Sequence, residues 1–164
     1  MEGTEEIVVD QSSESQLAWF VVPGIPKGKE RHRSRVSKNS AGKAFVQSYA
    51  PEETVEYENL VRLAAHGAMK GRAPHLGPVE VLISSFYPIP KSWSKKRQQM
   101  AIDGAIRPTV KPDTDNVEKA ILDGINAIVV RDDAQVCDNR HRKFYGPSPR
   151  VMVIVMKINA EPAY

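Results

Sequence analysis

Four aspartates in the second half of the chain have spacings that suit a metal site. Asp113 and Asp115 stand two residues apart, directly before an apolar-periodic segment, and Asp132 and Asp133 follow that segment. Carboxylates this close repel one another, so such a pair is typical of a site where a cation lies between them. Hard divalent cations prefer carboxylate oxygens as ligands. The pattern therefore predicts a metal site that is closed by one helix.

The segment between the two acidic pairs predicts an amphipathic helix. Asp115 is expected to be its N-cap, because Glu118 stands three residues later as in a capping box. Lys119 and Asp123 fall opposite the apolar face, four residues apart, where an ion pair can form. One face of the helix should pack and the other should carry chemistry. The apolar positions at helical spacing are Val117, Ala120, Ile121, Gly124, Ile125 and Ile128.

A purely structural role for these aspartates is the alternative. On local grounds Asp115 can serve only to cap a helix, and Asp132 and Asp133 only to form a turn. That explanation does not account for Lys119 and Asp123 on the face opposite the core. It also leaves unexplained why basic segments surround an acidic centre.

Two motifs in this region resemble a known family. They are P-D-x-D-N-x-x-K-A-x-x-D at 112–123 and D-D-x-Q-V at 132–136, accompanied by the basic stretch PGIPKGKERHR at 23–33. Their residue types and spacing are similar to those of the RusA-type Holliday-junction resolvases. In that family three aspartates bind Mg²⁺, with Mn²⁺ as a possible substitute, and a lysine one turn into the helix is essential. The matching positions in this chain are the predicted metal ligands Asp113, Asp115 and Asp133 and the predicted catalytic lysine, Lys119.

Two further aspartates are assigned supporting positions beside these residues. Asp123 is expected to position Lys119 through the contact four residues along the helix. Asp132 is expected to stand behind Asp133, because only one of two adjacent residues normally points into a site.

The resemblance implies a metal-dependent endodeoxyribonuclease that resolves four-way junctions by paired phosphodiester hydrolysis, in DNA recombination, repair or phage DNA processing. A junction has two-fold symmetry, and a homodimer provides two matched sites, so a homodimer is expected. No GxGxxG or P-loop pattern is present, which argues against a nucleotide cofactor. Two alternatives stay open: a nuclease of flaps or other branched DNA, and a junction-binding protein without catalysis.

The positive charge of the chain is unevenly distributed. Residues 1–16 hold five acidic residues and no Lys or Arg, whereas residues 17–164 hold 23 Lys and Arg against 15 Asp and Glu, a net charge of +8. A basic body around an acidic pocket suits a polyanion whose phosphates are brought to a metal. A basic surface that only aids solubility also fits the charge alone.

Two basic stretches are the expected contacts with the DNA backbone. Segment 25–43 carries seven Lys and Arg against one acid, Glu30, and a second cluster lies within 140–143. A solvated flexible loop is the alternative for the first stretch, and the resemblance favours DNA contact. His32 and His141 lie in these runs and are assigned the same role. The predicted DNA-binding residues are Lys27, Lys29, Arg31, Arg33, Arg35, Arg140, Arg142 and Lys143.

The order of elements predicts an α+β (mixed α/β) fold with helices packed on a small mixed sheet. Residues 1–16 are expected to be a disordered acidic extension, and 17–164 a single endonuclease domain. Strand 44–49 is expected to pair with 17–22, and 135–145 to form a hairpin with 151–158. The remaining predicted elements are a strand at 78–88 and helices at 51–70, 92–104 and after Asp115.

Composition restricts the class of protein further. The chain is 41% hydrophobic and 26% charged, as in ordinary globular domains. No apolar run approaches the roughly 20 residues that span a bilayer, and no signal-peptide pattern opens the sequence. A cytoplasmic protein that binds no membrane is therefore expected. Cys137 is the only cysteine, which excludes an internal disulfide, and it is expected to be buried or half-buried in a strand.

Overall fold

The computed structural model describes residues 15–31 and 33–160. A four-stranded mixed sheet and a separate two-stranded hairpin are combined with helices, so the predicted α+β class is confirmed. Residues 1–14 of the expected disordered extension lie outside the described residues, and Gln16 already belongs to a strand. The elements are β1 (Gln16–Pro23), β2 (Arg33–Lys38), β3 (Ala44–Tyr49), α1 (Glu52–Met69), β4 (Val79–Pro88), α2 (Lys95–Ile102), α3 (Thr114–Ile125), a short 3₁₀ helix (Asp133–Gln135), β5 (Val136–Gly146) and β6 (Arg150–Lys157).

The main sheet has the strand order β1-β6-β4-β5. Strand β6 is antiparallel to both of its neighbours, and β4 and β5 are parallel. The predicted hairpin between β5 and β6 is therefore wrong, because β4 lies between them. The physical reason is burial. Val151, Val153 and Val155 of the apolar strand β6 are fully buried at an interior position of the sheet, whereas the polar strand β5 lies at an edge and leaves Cys137 exposed.

The predicted pairing of 44–49 with 17–22 is also wrong, because β3 pairs with β2 in a local hairpin. A tight turn makes this pairing possible. The Asn39 side chain accepts hydrogen bonds from the backbone N–H groups of Ala41 and Lys43, at 3.1 and 2.9 Å. Gly42 supplies the left-handed backbone, with φ of 75°. Part of the basic segment 25–43 is therefore the strand β2.

Helices α1 and α3 pack against each other beside the sheet. The core face of α3 is as predicted, since Val117, Ala120, Ile121, Gly124 and Ile125 are all buried. On α1, Leu63 is 70% exposed, whereas Tyr57, Val61 and Ala65 are buried. No helix among the described residues is long and apolar enough to cross a membrane.

The contact between Gly124 and Val61 sets the distance between the two helices. A Cβ atom added to Gly124 would lie 2.3 Å from Cγ1 of Val61, a distance that requires the helices to move apart. Gly124→Ala should therefore lower the free energy of unfolding by about 1–3 kcal/mol through overpacking. Urea unfolding of the variant and the parent protein measures this difference.

Gly67→Ala is the matched control for this substitution. Gly67 lies on α1, and nothing stands within 4 Å of an added Cβ, so the higher helix propensity of alanine should raise stability by up to about 1 kcal/mol. Equal midpoints for Gly124→Ala and the parent protein would contradict the close packing of α1 on α3.

Candidate active site

The acidic residues before α3 lie at its exposed start. Asp113 is the N-cap residue, with φ of −70° and ψ of 155°, and its side chain makes no capping hydrogen bond. Asp115 lies in the first turn, so its predicted N-cap role and the capping box with Glu118 are wrong. Pro112 and the extended Asp113 shift the helix start by two residues. Because both carboxylates are exposed, their oxygens face solvent at the positive end of the helix dipole.

Glu118 is an acidic residue of this site that the sequence interpretation assigned only to a cap. Burial raises its pKa, a hydrogen bond with Asn139 on β5 opposes the rise, and the charge on Asp115 adds to it. Glu118 therefore stands between the start of α3 and strand β5, next to Asp115. Its spacing of three residues from Asp115 was the available signal, since such residues are neighbours on a helix surface.

Asp132 and Asp133 have different environments. Asp132 caps the short 3₁₀ helix: its Oδ1 accepts from the backbone N–H of Ala134 at 2.9 Å, and its N–H donates to Oε1 of Gln135 at 2.9 Å. Asp133 is exposed on an element that contacts α3. Both residues are exposed, and Asp132 is the one that caps the 3₁₀ helix. The buried Gln135 fixes this turn by donating to the carbonyls of His75 and Gly77, at 2.9 and 2.8 Å.

Within residues 15–31 and 33–160, no three side chains of the His, Cys, Asp and Glu types come close enough together to hold a metal ion. The donor chemistry nevertheless fits a hard divalent cation. Asp113, Asp115 and Asp133 supply exposed carboxylate oxygens, the ligand type that Mg²⁺ takes. Like charges also hold such carboxylates apart when no cation lies between them.

Asp123 is paired with Lys29, and the predicted ion pair between Asp123 and Lys119 is wrong. The Lys29 ammonium donates to Oδ2 of Asp123 and also lies 3.4 Å from Oε1 of Glu58. The hydrogen bond to Asp123 raises the pKa of Lys29, while burial opposes the rise. Lys119 is exposed on the outer face of α3. The lysine that Asp123 positions thus comes from the basic segment before β2.

The backbone around Lys29 is fixed against the start of α3. The N–H of Lys29 donates to the carbonyl of Asn116 at 2.8 Å. A Cβ atom on Gly28 would lie 2.8 Å from Cβ of Asn116 and 2.9 Å from Cβ of Pro112, so only glycine fits this crossing. We call residues 28–30 the strap. This arrangement differs from the solvent-facing phosphate contact expected for Lys29.

Lys29→Met should lower stability without changing how DNA binding depends on salt. The substitution leaves Asp123 and Glu58 without their cation, and all three side chains are at least three-quarters buried. Because their carboxylates lose a hydrogen-bond donor away from water, the loss should be about 1–3 kcal/mol. Urea unfolding measures it. A loss of salt dependence of about 0.9 in the log–log slope with unchanged stability would instead identify Lys29 as a phosphate contact.

Lys27→Met is the control for this experiment. Lys27 pairs with Glu53 at 3.0 Å, and both side chains are largely exposed, at 45% and 72%. Exposed ion pairs contribute little to stability, so Lys27→Met should unfold at the same urea concentration as the parent protein.

His141, for which a phosphate contact was predicted, has both ring nitrogens engaged within the protein. Its Nδ1 lies 3.1 Å from the carbonyl oxygen of Thr114, so Nδ1 carries the proton, and Nε2 lies 2.7 Å from Oγ of the buried Ser85. Burial lowers the pKa of His141, which favours the neutral ring. His141 therefore connects β4 and β5 to the first turn of α3.

Lys143 fixes the loop that precedes α3. Its ammonium donates to the carbonyls of Val110 and Pro112, and it lies 4.9 Å from the ring centroid of Tyr87. Burial raises the pKa of Tyr87 to about 12, and the charge on Asp113 contributes to the rise. Tyr87 therefore stands close to the candidate metal ligands.

The other predicted DNA contacts lie on the surface. Arg140 and Arg142 are exposed on β5, and Arg31 is exposed between the strap and β2. Arg33 and Arg35 are exposed on the β2–β3 hairpin. His32 lies outside the described residues.

Comparison with known sequences defines the class of protein to which this fold and this site belong. Residues 23–156 match the family model described as Endodeoxyribonuclease RusA, which covers the strap, the hairpin and α3 together. The protein is thus an endodeoxyribonuclease, a hydrolase that cuts within a DNA strand.

The chain belongs to the RusA family, which acts on branched DNA junctions, and the predicted resemblance is confirmed. It is also 34% identical over 143 residues to the uncharacterized protein YqaN of Bacillus subtilis (strain 168), a match that covers 86% of this chain and 96% of that protein.

Proposed function

We propose that this protein is a Mg²⁺-dependent Holliday-junction resolvase that works as a homodimer in DNA recombination, repair or phage DNA processing. The observation that supports it most is the group of exposed carboxylates at the start of α3, within a chain of the RusA family. A protein that only binds junctions has no need for exposed carboxylates that repel phosphate beside its basic surface.

Asp113, Asp115 and Asp133 would hold the metal ion, and Mn²⁺ would substitute for Mg²⁺. When bound, Mg²⁺ would lower the pKa of a coordinated water and stabilise charge on the phosphoryl oxygens. The chain adds a second source of positive charge. Lys119 lies one turn into α3 on the exposed face, and its ammonium would contact the scissile phosphate where charge develops.

Arginines on two elements would hold the DNA by its backbone. Arg140 and Arg142 on β5 are exposed, and so are Arg33 and Arg35 on the hairpin. Contacts of this kind position a duplex but carry little sequence information. Recognition would therefore rest mainly on the branched shape, and a homodimer would place two such surfaces on the symmetric arms.

The test is cleavage of three DNA substrates by the full chain with Mg²⁺: a four-way junction, a flap and a linear duplex. The proposal predicts paired cuts in the junction, no cleavage in EDTA, and recovery with Mn²⁺. Equal rates on all three substrates would remove the resolvase assignment and leave a general nuclease. Preferred cleavage of the flap would favour the alternative nuclease function.

A further inference from the structure

The β2–β3 hairpin stands apart from the rest of the domain. The two strands pair only with each other, and all six residues of β3 are exposed. Neither strand makes extensive contact with another element of the described chain. A two-stranded hairpin is at best marginally stable in water on its own. Such an element gains stability when a partner covers it.

Alternation along the strands gives the hairpin two different faces. One face, which we call the cationic face, carries Arg33, Arg35, Phe45, Gln47 and Tyr49. The Arg35 guanidinium donates to Oε1 of Gln47 at 3.1 and 3.0 Å and lies 5.7 Å from the ring centroid of Tyr49. These contacts hold the guanidinium in place across the strand pair.

The opposite face is apolar at its centre. Val36 and Val46 lie directly across from each other in the strand register, and they are 74% and 70% exposed. Two β-branched side chains side by side form a continuous apolar surface. Phosphate contact would account for the cationic face, but it would not account for the exposed valine pair on the opposite face.

The charge of the hairpin points to the kind of partner. Residues 31–49 contain five Lys and Arg and no Asp or Glu, which suits a polyanion. A two-stranded β-ribbon has the width that fits a DNA groove. Apolar side chains can insert between base steps and pack against base faces that stacking covers in an intact duplex. A branch point interrupts that stacking and exposes base faces.

Both ends of the hairpin are fixed beside the candidate active site. The strap leads into β2, where Lys29 is bound to Asp123 and Asn116 of α3, and the N–H of Glu30 donates to Oγ1 of Thr54 at 3.4 Å. Strand β3 leads into α1 only a few residues later. The base of the hairpin is therefore anchored next to the start of α3.

We propose that the β2–β3 hairpin enters the branch point of the DNA substrate, where its cationic face contacts phosphates and Val36 and Val46 pack against the base faces that branching exposes. The proposal rests on the proposed junction substrate. It assigns selection of branched DNA to the valine pair and general affinity to the arginines.

The experiment measures metal-free binding of the full chain to a four-way junction and to a linear duplex, over a range of salt concentrations. Val36→Thr combined with Val46→Thr keeps the β-branched shape, and it should weaken junction binding about tenfold, since two methyl groups are lost, while duplex binding and the salt slope stay the same. Arg33→Gln combined with Arg35→Gln should weaken binding to both DNAs and flatten the log–log slope by about 1.8.

A fluorescent base at the branch point gives an independent measurement. The parent protein should change the fluorescence of 2-aminopurine placed there, because a valine side chain packs against its exposed face, and the double valine variant should not. Leu63→Gln is the matched control, since Leu63 is an equally exposed apolar residue, at 70%, on α1. It should bind both DNAs as the parent protein does.

Three outcomes would overturn the proposal. Equal loss of affinity for junction and duplex would make the valines general contacts, and no loss would leave them without a role in binding. A change of oligomeric state in the valine variant, seen by sedimentation, would make them a protein interface. Failure of the parent protein to prefer a junction over a duplex would instead count against the proposed function itself.

Discussion

Replacing Asp113 by asparagine is expected to reduce junction cleavage at least about 100-fold, because it removes a carboxylate that would hold the metal ion. Asp115→Asn and Asp133→Asn should have the same effect. Binding to junction DNA without metal should stay equal or become tighter, since a negative charge has left a surface that approaches phosphate. Single-turnover cleavage and metal-free binding of the same preparations measure the two effects separately.

Asp132→Asn is the matched control for these variants. It removes the same charge from the adjacent position, and asparagine caps a helix as well as aspartate does, so most of the cleavage activity should remain. Cleavage at the parent rate by Asp113→Asn would refute its assignment as a ligand. Loss of metal-free binding in that variant would point to misfolding, which circular dichroism detects.

Lys119→Ala is expected to lower the cleavage rate by about 100-fold and leave DNA affinity nearly unchanged. One ammonium adds little to an interface with many phosphate contacts, but it acts where charge develops in the transition state. Single-turnover rates at saturating enzyme isolate the chemical step from binding. If Lys119→Ala cut at the parent rate once saturated, Lys119 would be only another backbone contact.

Lys91→Ala is the control for the loss of a lysine. Lys91 is exposed in the segment between β4 and α2, away from the start of α3 in the sequence. Its removal should leave the saturated cleavage rate unchanged.

The core face of α3 could be predicted from the sequence, whereas that of α1 could not. Helical spacing alone identifies Val117, Ile121 and Ile125, because the opposite face of α3 is polar. On α1, apolar residues occur on both sides, and Leu63 lies in solvent. The rotation of α1 is set by the close approach of Val61 to Gly124, a contact between distant parts of the chain.

The candidate site could also be predicted only where local sequence determines it. The positions of the aspartates follow from a local motif, and the structure places Asp113 and Asp115 together at one helix start. The partner of Asp123 could not be found in this way, because Lys29 lies 94 residues away and the nearer Lys119 has the usual spacing of a helical ion pair. Long-range partners depend on how the strap crosses α3.

The strand order has a consequence for how the enzyme is made. Strand β6 follows the other strands in the chain, yet it lies between β1 and β4, so neither of these strands has its antiparallel partner until β6 has left the ribosome. Contacts over so long a sequence separation form slowly. The sheet that supports α3 and Asp133 is therefore completed only after synthesis of the domain is nearly finished, and a chain that ends before Arg150 should have no nuclease activity. A growing polypeptide should therefore be inactive until β6 has emerged.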